Sequence, residues 1–276
     1  MKTTPATAVT FTPYEISMCL FDVQRTRLWK QAIEDTVEDG DVVADAGSGT
    51  GILGVFAALD HASRVYSIEL HPRFLRLIEN LARLNGVSHV VRTIEGDAAH
   101  VDLPEPIDVL VCELLCTGQF FEPEVQVVNN LRRFFKPTTR VIPCRVESWV
   151  QLLDAQEILY GARIDTDSRS GLLEGDEYLS TCVRYDVIDF TRPVEPEAVD
   201  ATVTVRARKD GVADAVVITS QAHLTERLVT ETTRFLYNPE VIFLKEPAPL
   251  AKGRDYRVHI AYPYGCDTLE ARIAVE

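Results

Sequence analysis

No apolar run in this chain approaches the length of a membrane span, and basic residues are scarce. Lysine and arginine total 28 against 42 aspartates and glutamates, for a net charge of −14. That balance argues against a nucleic-acid partner, because binding phosphates draws on Lys and Arg. It is compatible with a cationic substrate, although an acidic surface also serves solubility alone. CxxC pairs are absent. The six cysteines (Cys19, Cys112, Cys116, Cys144, Cys182, Cys266) are scattered and the six histidines do not cluster. No metal site is expected, and the thiols read as reduced and buried. The opening segment MKTTPATAVTFTP lacks the uninterrupted apolar stretch of a secretory signal. The expectation is a cytoplasmic protein with no membrane partner. Internal repeats and low-complexity tracts are missing as well.

What is present is an ordinary globular composition, 46% hydrophobic and 25% charged over 276 residues. The first half alternates strand and helix patterns. Strand candidates are 42–46, 64–69, 90–95, 108–113 and 139–143; helical patterns cover 50–59, 73–84 and 124–135. Such alternation predicts a parallel sheet with helices on its faces, a Rossmann-like α/β arrangement. Lys136-Pro137 is expected to close the last helix, since proline cannot continue one. Beyond about residue 145 the pattern becomes period two, in 202–206, 215–219, 240–245 and 256–262, with turn residues between. That reads as an antiparallel sandwich or barrel. The expected division is 1–145 and 146–276, with a short exposed insertion near 160–178.

The sharpest signal is VVADAGSGTGILG, residues 42–54. A strand ends on Asp45, and Gly47, Gly49 and Gly51 follow at alternate positions before an apolar helix. Glycines at such a turn let a ligand touch main chain. The dinucleotide fingerprint is GxGxxG, with pyrophosphate on the helix N-terminus. Here the spacing is GxGxG and a carboxylate stands beside it, which repels phosphate and suits an ammonium group. The second strand ends on Glu69, placed to accept from both ribose hydroxyls. The third ends in Glu95-Gly96-Asp97-Ala98, where Asp97 can accept from an adenine amino group, with Ala98 beside it. An adenosine carrying an amino acid and no phosphates is S-adenosylmethionine.

The fourth strand leads into Glu113-Leu-Leu-Cys-Thr-Gly-Gln-Phe-Phe-Glu122, two acids nine residues apart. Two carboxylates beside a methyl donor can bracket a planar guanidinium. Taken alone, they read equally as the acids of a solvated loop, and Arg25 alone reads as a helix-surface charge. With these motifs together, the chain resembles the protein arginine methyltransferase family over most of its length, as a divergent, bacterial-type member. The resemblance assigns Glu113 and Glu122 the clamp on the substrate guanidinium. Asp22-Val-Gln-Arg25-Thr26 is similar to the family's Asp-x-x-Arg-Thr helix. It implies that Arg25 binds the cofactor carboxylate and that Asp22 braces Arg25 and Glu113. It also implies the appended β-barrel; a homodimer is compatible with it, and the oligomeric state stays open. The chain departs from the family at four places, one being that the stretch between the Trp149 strand and the barrel is shorter than the family's dimerisation arm. Leu-Leu-Cys stands for the usual Trp-Met-Gly after Glu113. Phe235-Leu236-Tyr237 stands for the barrel's Thr-His-Trp, leaving Tyr237 to offer a ring face to a cation. Ala99 falls where a second adenine-contacting glutamate is usual.

Three functions remain open on sequence. The first is guanidino N-methylation, with free arginine or a guanidine-bearing small molecule favoured over protein arginine. The second is methylation of a different nucleophile on the same fold. The third is a non-catalytic cofactor-binding protein.

Overall fold

The computed structural model describes residues 12–155, 158–163, 166–230, 232–233 and 236–276. Helix α1 (Pro13–Phe21) starts at Thr12 with a reciprocal cap. The Thr12 hydroxyl accepts from the Glu15 N–H (3.3 Å), and the Glu15 carboxylate accepts from the Thr12 N–H (2.6 Å). Asp22 then closes α1 and opens α2 (Val23–Glu34), its carboxylate accepting from the Arg25 N–H at 3.2 Å. One residue thus sets the angle between two helices, which is why Arg25 emerges at a fixed place.

The chain continues through β1 (Val42–Ala46), α3 (Ile52–Leu59), β2 (Arg64–Glu69), α4 (Pro72–Leu84), β3 (Val91–Glu95), β4 (Ile107–Cys112), α5 (Glu124–Leu131) and β5 (Phe135–Ile142). Strand order is β3-β2-β1-β4-β5, and every pairing is parallel. The first three strands progress one way and β4 returns to the other side of β1. The order therefore reverses between β1 and β4, and a crevice opens at their carboxyl ends. Helices cover the sheet, so β1 and β4 are near-continuous apolar runs; Val43, Ala44, Leu110 and Val111 are fully buried.

Lys136-Pro137 does not end a helix as the sequence suggests. Helix α5 stops at Leu131, a single 3₁₀ turn covers Arg132–Phe134, and Lys136 and Pro137 lie inside β5. Since β5 is the edge strand, a missing N–H is tolerated there.

Antiparallel structure follows: β6 (Arg145–Asp154), β7 (Ile158–Leu159), β8 (Ala162–Arg163), β9 (Ser168–Ser170), β10 (Glu177–Tyr178), β11 (Val183–Asp189), β12 (Ala198–Arg206), β13 (Gly211–His223), β14 (Glu240–Leu250), β15 (Asp255–Pro263) and β16 (Arg272–Val275). Strand β6 alternates, with Val146, Ser148, Val150 and Leu152 buried, and it pairs with β13 from Leu153↔Ala215 to Arg145↔His223. A six-stranded and a three-stranded antiparallel sheet result. The molecule is an α/β Rossmann-like unit followed by an antiparallel β-barrel. The exposed hairpin is β7–β8, with Tyr160 fully exposed at its tip, and it precedes the polar stretch 165–177 where the sequence suggests a loop or hairpin. By contrast, β9 and β10 join the barrel by pairing with β14 and β6. Among the described residues, no helix is long and apolar enough to cross a membrane.

Candidate active site

A cavity of about 1360 Å³ occupies the crevice between β1 and β4. It exceeds the roughly 300–1,000 Å³ typical of one small ligand, so two reactants fit. Its wall includes Arg25, Gly47, Glu69, Asp97, Glu113 and Glu122. Gly49 and Ala98 also contribute. Residues 25, 47, 69, 97, 113 and 122 are scattered in sequence, but each except Arg25 follows or ends a parallel strand. The sheet brings those ends together because parallel strands all point the same way.

Glu69 is held by main chain. Its Oε2 accepts from the Gly49 N–H (2.8 Å) and its Oε1 from the His71 N–H (2.9 Å). Each oxygen retains acceptor capacity, so the carboxylate is aimed without being used up. Asp97 is similarly fixed, by the Ala99 N–H (2.9 Å) and His100 Nδ1 (2.8 Å). Arg25 is 9% exposed, and its guanidinium pairs with Glu113. Burial would lower its pKa, but Glu113, joined by Cys19 and Glu122, raises it overall. Its Nε is buried without a partner. An orphaned guanidinium N–H in a cavity that Gly47, Glu69 and Asp97 also line fits the carboxylate, ribose and base of S-adenosylmethionine.

Glu122 faces the cavity with protein walls around it. Burial, reinforced by Glu113 and opposed by Arg25, pushes its pKa up to about 8. A further cation arriving beside it favours the anionic form.

Four expected site residues lie elsewhere than the sequence suggests. Asp45 is 1% exposed and points beneath the glycine turn, accepting from the Gly54 N–H at 3.1 Å. Burial raises its pKa to about 7, against the bonds from Ser48 and Gly54. It braces the turn rather than meeting a ligand's ammonium. Gly51 faces Ile78 of α4, not the cavity. Asp22 sits behind Arg25, off the cavity wall; its carboxylate accepts from the Arg25 backbone N–H and from the Thr233 hydroxyl of the barrel segment. Tyr237 is 2% exposed with its ring off the cavity wall, so it presents no face to a cation there. Phe235 lies outside the described residues.

The sequence reading missed what pins the loop between the two glutamates. The Gly118 N–H donates to Ser220 Oγ (2.8 Å), and Tyr262 OH donates to the Gly118 carbonyl (2.8 Å). The Phe121 N–H donates to the Cys266 carbonyl (2.8 Å), and Phe120 stacks on Tyr262 with ring centroids 4.3 Å apart. These partners lie more than one hundred residues away in sequence, so no local motif announces them. The barrel thereby fixes where Glu122 stands.

A family model for the TRM5/TYW2 methyltransferase domain matches residues 16–132. The chain is 33% identical over 254 residues to the uncharacterized protein MJ1452 of Methanocaldococcus jannaschii, covering 90% of this chain and 91% of that one. It is 30% identical over 145 residues to the arginine N(omega)-methyltransferase of Streptomyces achromogenes subsp. streptozoticus. That match spans 51% of this chain and 40% of the Streptomyces enzyme. In fold it resembles the Trypanosoma brucei PRMT1 enzyme-prozyme heterotetrameric complex with AdoHcy, with a TM-score of 0.78 at 18% identity over 95% of this chain and 92% of that one. The chain belongs to one family with MJ1452 and resembles an arginine methyltransferase over about half its length. It is an S-adenosylmethionine-dependent methyltransferase, and S-adenosylmethionine is its cofactor.

Two predictions follow from how the methyltransferase builds this wall. Glu69→Ala should weaken cofactor binding by at least tenfold in calorimetry, because each hydrogen bond to a charged group contributes about 1.5–3 kcal/mol. Unchanged affinity would remove Glu69 from the ribose. Asp22→Ala deletes the cap of α2, a change that costs about 0.5–2 kcal/mol, and cuts the tie to Thr233. Hydrogen exchange with cofactor present should then show lost protection across 14–29; equal protection in both proteins would refute the bracing role.

Proposed function

We propose that the methyltransferase modifies a guanidino nitrogen, with free arginine or another guanidine-bearing small molecule favoured over a protein arginine. The observation that carries this reading is the pair Glu113 and Glu122 on one cavity wall with the cofactor residues, where Arg25 is the cation already paired with Glu113. The Streptomyces relative is named for arginine, and the net charge of −14 suits a cationic acceptor better than a nucleic acid.

The bound cofactor supplies an electrophilic methyl group on a sulfonium sulfur. A guanidinium is a poor nucleophile because its charge is delocalised and its pKa exceeds about 12. Glu113 and Glu122 accept its N–H groups and draw positive charge toward the nitrogens they hold, leaving the third nitrogen richer in electrons. Arg25 keeps Glu113 in place while doing so. As the reacting nitrogen forms its bond to carbon it loses a proton, which Glu122 takes. A neighbour whose pKa lies near 8 in the empty site accepts that proton readily.

Labelled-methyl transfer with purified protein, comparing free arginine, other guanidines and arginine-rich peptides, tests the reading. Label on small guanidines alone supports it. Label on peptides alone overturns the small-molecule part, and label on neither overturns the guanidino assignment. The reading includes a homodimer, checked by light scattering in solution.

A further inference from the structure

Two residues one helical turn apart in the cavity wall each carry a buried N–H without a partner. Helix α2 buries Arg25, Trp29, Ala32 and Ile33 along one face. Of these, Arg25 and Trp29 line the cavity, and they are 9% and 1% exposed. Neither the Arg25 Nε nor the Trp29 indole Nε1 has a hydrogen-bond partner among the described residues. Residues four apart on a helix hold their Cβ atoms about 5–6 Å from each other on one face, so both donors can serve one small group.

An indole nitrogen only donates. Buried tryptophans usually satisfy that donor, and leaving it unmade is costly. The ring belongs to the hydrophobic core, a role that phenylalanine fills with no donor to satisfy. Packing therefore explains a large ring at this position but not the N–H.

The cavity is also short of cations. Arg25 is the only lysine or arginine among the described residues that line it, against Glu69, Asp97, Glu113 and Glu122. Glu113 already pairs with the Arg25 guanidinium, so part of the attraction that an incoming carboxylate would feel is cancelled. A neutral donor beside Arg25 holds an anion there without competing for Glu113. We infer that the Trp29 indole N–H is a second holder of the cofactor's carboxylate, donating to it together with the Arg25 Nε. The inference concerns the cofactor and stands whichever nucleophile is methylated.

The test compares two ligands that share adenosine and a thioether sulfur. S-adenosylhomocysteine carries the amino acid, and methylthioadenosine lacks it. In calorimetry with the full chain, Trp29→Phe should bind S-adenosylhomocysteine about tenfold more weakly, the effect of one hydrogen bond to a charged group. Its affinity for methylthioadenosine should match that of the wild type. Trp29→Tyr, which returns a donor at the ring's edge, should recover part of the loss. Equal weakening toward both ligands marks a merely structural role and overturns the inference, as does unchanged affinity for S-adenosylhomocysteine. If Trp29→Phe does not fold, or methylthioadenosine does not bind, the wild type decides. The chain has two tryptophans, so its heteronuclear NMR spectrum holds two indole N–H signals, which Trp149→Phe assigns. S-adenosylhomocysteine should move the Trp29 indole proton downfield, and a signal that stays in place overturns the inference.

Discussion

Glu122→Gln is expected to bind cofactor normally and lose most methyl transfer. The substitution is nearly isosteric but removes the charge that a bound guanidinium needs. Leaving a cation incompletely paired in a desolvated site typically costs about 3–5 kcal/mol, or a few hundred- to a few thousand-fold in rate if felt in the transition state. Glu113→Gln should lose activity to a similar extent. It also releases Arg25 from its partner, leaving that guanidinium to the cofactor carboxylate, so cofactor affinity should hold. The double variant should fall well short of the summed losses, because the two act as one unit. Rates at saturating cofactor for all three proteins check this; near-normal turnover in either single variant refutes the clamp.

The pH profile gives the same residue a second signature. A neutral Glu122 cannot pair a cation, and its pKa in the empty site is about 8. A cation bound beside it lowers that value. The acceptor kcat/KM should therefore rise with pH to a plateau, with its midpoint at or below about 8, and the guanidine itself does not titrate there. Glu122→Gln should remove this limb; a limb that persists unchanged belongs to another group.

The second large effect is on stability. Gly51→Ala should lower stability by about 2–5 kcal/mol, combining about 1–2 for a left-handed non-glycine residue with about 1–3 for overpacking. Gly51 has φ of 81°, and an added Cβ would stand 2.9 Å from Ile78 Cγ1 and 3.1 Å from Ile78 Cα. Ile78 is fully buried in α4, so the added methyl forces helix against helix. A melting temperature lower by on the order of 5–15 °C follows for a chain of this size. Gly86→Ala is the control. Its φ is 75°, yet a Cβ there meets nothing within 4 Å, so only the backbone cost applies. Equal losses in the two variants would show that packing on Ile78 contributes nothing.

The sequence by itself determined the parallel sheet and which strand ends share one cavity wall. Strand-end residues announce themselves locally: an apolar run, then an acid or glycine, then a helix. Once strands are parallel, Gly47, Glu69, Asp97 and Glu113 must share one edge of the sheet. Period-two alternation likewise marked the antiparallel half, as in β6, although β13 buries Ala215–Ile218 without a break. Lys136-Pro137 misled because proline ends helices and is also allowed on an edge strand, and edge position is a property of the whole sheet.

Only the tertiary structure decided which way side chains point and what holds them. The same strand-end logic that placed Asp45 at the glycine turn could not show its carboxylate buried against Gly54. Nor could it show the Arg25 guanidinium turned to Glu113, or Thr233 reaching Asp22 from the barrel. The clamp loop is fixed by Ser220, Tyr262 and Cys266. Local patterns encode period and backbone preference, which act over a few residues. Contacts across a hundred residues depend on how two finished sheets meet, and no spacing within either one records that.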